Sequence, residues 1–411
     1  MDKSWATVGS APMTDPDDVG PARTVKRLRP YAVNVFARMS ALAAELGAVN
    51  LGQGFPDEDG PPAMLEVARQ AIADGVNQYP PGPGIAELRR AIAAQRSRRY
   101  GQQFDPDTEV LVTVGASEAI AAAVLGLVEP GSEVLVLEPF FDTYAPVIAM
   151  AGSRRVAVPL VPDGRGFALD VDAVRAAITP ATRAIIVNSP HNPTGMVLSD
   201  AELRGLAAVA EEADLLVISD EVYEHLTFDG HRHLPIASYP GMASRTVTIS
   251  SAAKMFNCTG WKIGWACGTP GLIAGVRTAK QYLSYVSGAP FQPAVAYALD
   301  HEDAWVAALR DSLQAKRDTL SAALAGLGFD VHDSVGTYFL CADPRPLGFG
   351  DSTAFCEELP RRAGVAAIPM AAFCDPRGAL EAWNHLVRFA FCKRDDTLEE
   401  AIRRLSLLNP S

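Results

Sequence analysis

The chain has 411 residues, 48% hydrophobic and 20% charged, the balance of an ordinary globular protein long enough for one large domain and a smaller one. Its net charge of -12 and the lack of a basic run argue against a nucleic-acid partner. No apolar run is long enough to span a bilayer, so no membrane association is expected.

The segment Met1 to Thr24 mixes Asp, Pro, Gly and Ser without the apolar core of a signal peptide. Residues 1–25 are therefore expected to form a disordered extension. From Glu109 onward apolar runs alternate with helical patterns. Strands are predicted at Val110 to Val114, Glu133 to Leu137, Val156 to Leu160, Ala184 to Val187, Leu215 to Ser219 and Thr246 to Ser250. Helices are predicted at Ser117 to Val128, Tyr144 to Ala151, Asp172 to Ile178 and, capped by Ser199, Asp200 to Glu212. Most of these strands are continuous apolar runs, as expected of strands covered on both faces by crossover helices. The expectation is an α/β large domain over residues 62–301, with a mostly parallel, seven-stranded type of sheet sandwiched by helices. A long helix from Ala304 to Leu327 follows. Then come strand-like runs at Thr337 to Leu340, Val365 to Ile368 and Leu386 to Phe391, and helices near Ser352 to Ala363 and Thr397 to Leu408. With residues 26–61, residues 302–411 are expected to form a smaller α+β domain. Six cysteines without CxxC spacing read as reduced thiols of a cytoplasmic protein, not as a disulfide framework or a zinc site.

Ligands of parallel α/β sheets bind outside the carboxyl ends of the strands, and the informative residues fall there. Lys254 lies in a run of small and hydroxyl residues, Ser250-Ser251-Ala252-Ala253, with a second cation, Lys262, eight residues on. A lysine that forms a Schiff base needs that setting. Small neighbours admit a flat cofactor, hydroxyls bind its phosphate, and nearby charge lowers the amine pKa. Gly115-Ala116-Ser117 follows a strand and opens a helix, where free N–H groups favour a phosphate; a plain tight turn is the competing reading. The turn Asn192-Pro193-Thr194-Gly195 can aim the Asn192 amide at a phenolic oxygen and a carboxylate; a plain Pro/Gly turn is the competing reading and, for this motif alone, the better one. Asp220 is an acid ending a buried strand, where a pyridinium N–H would partner it, and Tyr223 could donate to a phenolate; an N-cap Asp with a core Tyr is the competing reading. Glu221 and Glu224 are expected to be solvated or structural. Arg388, inside an apolar strand, needs an anion, either a substrate α-carboxylate or an internal salt bridge. Gly82-Pro83-Gly84 is a loop rather than a dinucleotide fingerprint, because no strand precedes it. His225, His231 and His233 flank an Asp-Gly turn and are expected to face solvent, so no metal site is expected.

In order, Gly-Ala-Ser-Glu-Ala, Asn-Pro-Thr-Gly, Asp-Glu-Val-Tyr, Ser-Ser-Ala-Ala-Lys and Val-Arg-Phe resemble the fold-type I, class I/II aminotransferases, from about Arg27 to Leu408. Asn50 to Asp57 and Glu138 to Asp142 resemble the kynurenine/glutamine/methionine branch. Over its length the chain is similar to actinobacterial N-succinyldiaminopimelate aminotransferases of lysine biosynthesis. The resemblance implies pyridoxal 5′-phosphate (PLP) as cofactor, with Lys254 as its Schiff-base lysine. Ser251, Lys262 and the Ala116 and Ser117 amides would hold the phosphate, and Phe141 would stack on the ring. Asn192, Asp220 and Tyr223 would take the roles above. Arg388, with Gly54 and Asn192, would bind the α-carboxylate. Tyr79 would reach the phosphate of a neighbouring subunit, giving a homodimer with shared sites. Phe36 stands where the kynurenine branch has a pocket tryptophan, which weakens any carry-over of aromatic preference. The implied reaction moves an amino group between N-succinyl-diaminopimelate and 2-oxoglutarate. A broad glutamine, methionine or kynurenine transaminase with cysteine-conjugate β-lyase activity would use the same catalytic residues. A PLP-binding transcriptional regulator would need a DNA-binding module ahead of residue 26, where only acidic or neutral sequence lies. A succinylated substrate calls for a second cation in the pocket; Lys26, Arg27, Arg38 and Lys280 are candidates by type.

Overall fold

The structure, a computed structural model, describes residues 24–408 apart from residues 33, 377 and 379. The expected extension at residues 1–25 lies outside the described residues except for its last two. Seven strands form the central sheet. In spatial order they are Val110–Val114, Ile263–Cys267, Thr246–Ser251, Leu216–Asp220, Thr182–Asn188, Glu133–Glu138 and Arg154–Pro159. All pair in parallel except Ile263–Cys267, which runs antiparallel to both of its neighbours. The sequence pattern had not marked this seventh strand. It is five residues long, and its apolar run is broken by Gly264. That glycine is a packing requirement: a Cβ there would lie 2.5 Å from the backbone of Gly115. The strand therefore presses the Gly115 turn into place.

Helices cover the sheet. Gly115–Leu127 packs against Pro270–Leu283, and a Cβ on Gly126 would meet the Gly275 carbonyl at 2.4 Å. Asp200–Glu212 starts with a reciprocal capping box, Ser199 accepting from the Glu202 N–H and the Glu202 carboxylate accepting in return. This satisfies two helix-end donors locally.

A second sheet, antiparallel, has the order Asp330–Val331, Phe339–Asp343, Val387–Ala390, Ile368–Pro369. The 24-residue helix Asp303–Gly326 precedes it and buries Leu313, Leu320 and Leu324. The single strand expected over residues 365–368 is divided. Val365–Ala366 pairs in parallel with Val49–Asn50, while Ile368–Pro369 joins Val387–Ala390. The N-terminal segment is thereby tied to the C-terminal part of the chain, which carries Gly52 and Gly54 toward Arg388. A short hairpin, Val161–Asp163 with Gly166–Ala168, is a further addition to the predicted elements. All six cysteines are buried free thiols. Among the described residues no helix is long and apolar enough to cross a membrane.

Candidate active site

The carboxyl ends of the strands at residues 110–114, 182–188, 216–220 and 246–251 open onto a cavity of about 340 Å³. Every residue that the resemblance assigns to the cofactor or to the α-carboxylate lines it except Tyr79. Tyr79 is 82% exposed and rests edge-on against Tyr285, ring centroids 5.6 Å apart.

Lys254 follows the last parallel strand, in the single-turn helix Ala252–Met255. Its ammonium donates to the Gly54 carbonyl at 3.4 Å. Burial pushes its pKa down to about 8; Lys262 and Arg388 push the same way, while Cys392 and Asp220 oppose them. The sequence reading had credited neighbouring positive charge with this effect, but desolvation is the larger cause. Lys262 itself holds a left-handed backbone, φ 55°, and lays its ammonium over the Gly115 turn. A Cβ on Gly115 would be 3.2 Å from that nitrogen. The amine, the start of helix Gly115–Leu127 and the hydroxyls of Ser117 and Ser251 together line one end of the cavity.

Asn192 and Arg388 form one unit. The Asn192 side-chain oxygen accepts from Arg388 at 2.8 Å, and its backbone N–H is held by Asn188 at 2.9 Å. The bond from Arg388 fixes which end of the amide carries the oxygen and leaves its two N–H donors available. Arg388 also donates to the Gly52 carbonyl at 2.8 Å. Its guanidinium lies 3.8 Å from the Phe339 ring centroid, 4.6 Å from Phe373 and 5.4 Å from Phe36. Among the described residues no carboxylate lies within ion-pair distance, so the internal-salt-bridge reading has no support. Its Nε is buried without a partner. Burial lowers its pKa to about 10, the signature of a buried cation awaiting an anion. Gly54 must be glycine, because a Cβ would fall 2.5 Å from the Phe339 ring. Phe36 meets Phe373 edge-on at 5.4 Å.

Asp220 is 3% exposed, and burial raises its pKa to about 6. Tyr144 donates to its Oδ2 at 2.6 Å, a contact the sequence reading missed. The signal was there: Tyr144 is the third residue after Phe141, on the helix already predicted to follow. Tyr223 is buried and packs edge-on against Tyr338 at 5.2 Å; burial raises its pKa. A second missed residue is Asp142, whose pKa burial raises while Arg388 opposes the rise.

Two expectations are overturned. His225 and His233 are buried, at 8% and 7% exposure, and only His231 faces solvent. They pack behind the sheet beside Arg96, which pairs with Glu221 at 2.8 Å and Glu224 at 2.7 Å. Glu221, Glu224 and His233 are close enough to hold a metal ion. However, Ser219 and Ser250 bond the carboxylate oxygens that Arg96 leaves, so the cluster is closed by protein donors. The candidate second cations also miss the cavity. Arg38 pairs with Glu357 on the surface, Lys280 is held by the Gly82 and Tyr285 carbonyls, and Lys26 and Arg27 are exposed.

A depressed lysine, a buried strand-end acid, an anion cradle and an unpaired buried arginine define a class of enzyme that binds a phosphorylated pyridine aldehyde and an amino acid. The chain belongs to the aminotransferase class I and II family, whose model matches residues 47–405. That family is PLP-dependent. The probable N-succinyldiaminopimelate aminotransferase of Mycobacterium tuberculosis strain H37Rv is 74% identical over 390 residues, covering 94% of this chain and 98% of the relative. The solved structure of N-succinyldiaminopimelate aminotransferase from Mycobacterium tuberculosis superposes with a TM-score of 0.92 at 75% identity, covering 94% of this chain and all of that one. The methionine aminotransferase of Escherichia coli K12 is 38% identical over 383 residues, covering 93% and 97%. The cavity fits PLP: a buried acid with one oxygen free of side-chain donors, a glycine-floored ammonium cradle and a buried amine are the partners its ring nitrogen, phosphate and aldehyde need.

Proposed function

We propose that this aminotransferase exchanges the amino group of N-succinyl-LL-2,6-diaminopimelate with 2-oxoglutarate, in the cytoplasm, as a homodimer in which Tyr79 reaches the neighbouring phosphate site. The observation that carries the substrate is 74% identity over nearly the full length of the mycobacterial relative. Exposure of Tyr79 at 82% supports the dimer, because a tyrosine this exposed leaves apolar surface to cover.

PLP supplies the electron sink that makes the α-proton removable. The chain's own residues do the rest. Lys262, Ser251 and the Ala116 and Ser117 amides would hold the phosphate, and Phe141 would pack on the ring. Asp220 would keep the ring nitrogen protonated, and Asn192 and Tyr223 would donate to the phenolic oxygen. Arg388 has three of its five N–H donors left after Asn192 and Gly52 are served, enough to grip an α-carboxylate bidentately. Lys254, whose pKa burial brings down to about 8, would be the group that holds and moves the α-proton. Both half-reactions use the same site, so ping-pong kinetics are expected.

One observation favours a second reading. Among the described residues, the cavity's cations are Lys254, Lys262 and Arg388, each already assigned, and none of these is left for a distal carboxylate. A broad transaminase for glutamine, methionine or kynurenine, with cysteine-conjugate β-lyase activity, would need none. Single-turnover absorbance of the PLP-loaded protein separates the two. Rapid conversion with N-succinyl-diaminopimelate and glutamate alone supports the first reading; comparable rates with methionine, glutamine or kynurenine overturn it. Lys254→Ala should fold, bind PLP and lack turnover, and near-normal transamination by that variant would refute the whole site assignment.

A further inference from the structure

Tyr144 opens the helix Tyr144–Met150, three residues after Phe141. Its ring meets the Phe141 ring edge-on, centroids 5.7 Å apart at 86°. Its hydroxyl donates to Asp220 Oδ2 at 2.6 Å, and the residue is 2% exposed. One side chain therefore touches both the aromatic ring assigned to stack on the cofactor and the carboxylate assigned to its ring nitrogen. The other Asp220 oxygen, Oδ1, has only a long 3.4 Å contact from the Val222 N–H. We propose that Tyr144 is a positioning residue, which fixes Asp220 as a carboxylate with Oδ1 turned to the cofactor's ring nitrogen. The inference rests on the assignment of Asp220 to that nitrogen.

The physical case is a balance around one buried acid. Desolvation favours the neutral carboxyl, and the neighbouring charge of Glu221 adds to that; the Tyr144 hydroxyl, the Val222 N–H and Lys254 oppose it. Tyr223 is the remaining titratable group against Asp220. Burial and the neighbouring Asp220 hold the Tyr144 pKa well above 10, so it remains a donor throughout the working range. Without the hydroxyl, the acid loses its shortest charge-assisted bond and moves toward the neutral form. A neutral acid cannot hold the ring nitrogen protonated, and α-proton removal slows. Substrate binding is untouched, because Arg388 lies elsewhere in the cavity.

Tyr144→Phe removes the hydroxyl and keeps the ring packed on Phe141. Three readouts apply. The PLP dissociation constant of the apoprotein should rise about tenfold, and kcat should fall about tenfold or more with KM for the amino acid changed less than about threefold. The pH dependence of the bound cofactor's visible band should move by about one pH unit. An Asp220→Asn background isolates the route. If Tyr144 acts through Asp220, adding Tyr144→Phe to Asp220→Asn should cost nothing further in any readout. Additive losses, or a Tyr144→Phe protein with wild-type spectrum and PLP affinity, would overturn the proposal. Should Asp220→Asn alone leave the spectrum and PLP affinity unchanged, the ring-nitrogen assignment fails and the inference with it. Urea unfolding of the apoproteins guards against misfolding, since a merely structural hydroxyl would lower the midpoint and leave the band's pH dependence where it was.

Discussion

Arg96 and Arg388 are both fully buried, yet they solve the cost of burial in opposite ways. Arg96, on the helix Ala86–Tyr100, is neutralised within the chain by Glu221 and Glu224, and its guanidinium also stacks on Tyr100 at 4.4 Å. Burial acts to lower its pKa, but the two carboxylates outweigh burial and raise it. Arg388 has two neutral acceptors, three aromatic rings and an unpartnered Nε; burial wins and its pKa falls. A buried charge with its counterion inside the protein is structure, and a buried charge without one is a binding site for an anion that arrives later. One short segment serves both: Arg96 pairs with Glu221 and Glu224, while Arg388 acts electrostatically on Tyr223. Glu221 and Glu224 follow directly after Asp220 and Tyr223, so alternate directions of one short segment serve the structural cluster and the chemistry.

The largest break in this contrast is expected at Arg96. Arg96→Met would take the shared arginine from two buried carboxylates and should cost about 3–5 kcal/mol in urea unfolding. Converting Glu221 and Glu224 to Gln in the same protein should restore most of that loss. The wild type carries a matching acid signature. Burial would raise the Glu221 pKa, yet Arg96 and His233 bring it down to about 2. A depressed acid stabilises the fold above its unfolded value of 4.5, and that stabilisation is lost as pH falls from there through about 2. Arg96→Met should flatten stability across that window. An unchanged acid limb would mean the cluster is not what holds the sheet against this helix.

Arg388→Leu should behave in the reverse sense. Folding stability should change by less than about 2 kcal/mol, because no carboxylate loses a partner and only two neutral acceptors do. By contrast, kcat/KM should fall about a hundred- to a thousandfold, chiefly through KM, as expected when a charge-assisted carboxylate contact is removed. A large stability loss with modest kinetic effect would place Arg388 with Arg96 and remove the carboxylate site.

The parts of this arrangement legible in the sequence were those carried by local pattern. Continuous apolar runs marked the parallel strands, and turn chemistry at their ends marked Asn192, Asp220 and Lys254. Arg388 stood out because a cation interrupts an apolar strand. What stayed hidden depended on partners distant in the chain. Arg96 lies in a helix rich in arginines, and nothing local distinguishes it from Arg98 or Arg99 on the surface; its carboxylates are 125 and 128 positions away. His225 and His233 flank an Asp-Gly turn, and their burial stays hidden because turn composition says nothing of what packs above it. Strand Ile263–Cys267 was missed because Gly264, required by the Gly115 turn it contacts, breaks the apolar run that would have marked it.

The smallest effect expected concerns the rings around Arg388. Phe373 is fully buried and lies 4.6 Å below the guanidinium, with Phe36 edge-on against it. The rings can act in two ways, as ordinary packing or as a cage that holds the guanidinium flat and dry so that its free donors face the cavity. Phe373→Leu separates these. A volume-changing swap in a core costs about 1 kcal/mol of stability whichever role applies. A cage also contributes cation–π attraction, about 1 kcal/mol when desolvated, so KM for the amino acid should rise about fivefold with kcat unchanged. A stability loss with unchanged KM would show that Asn192 and Gly52 alone orient Arg388, and that its difference from Arg96 rests on missing carboxylates rather than on the aromatic rings that replace them.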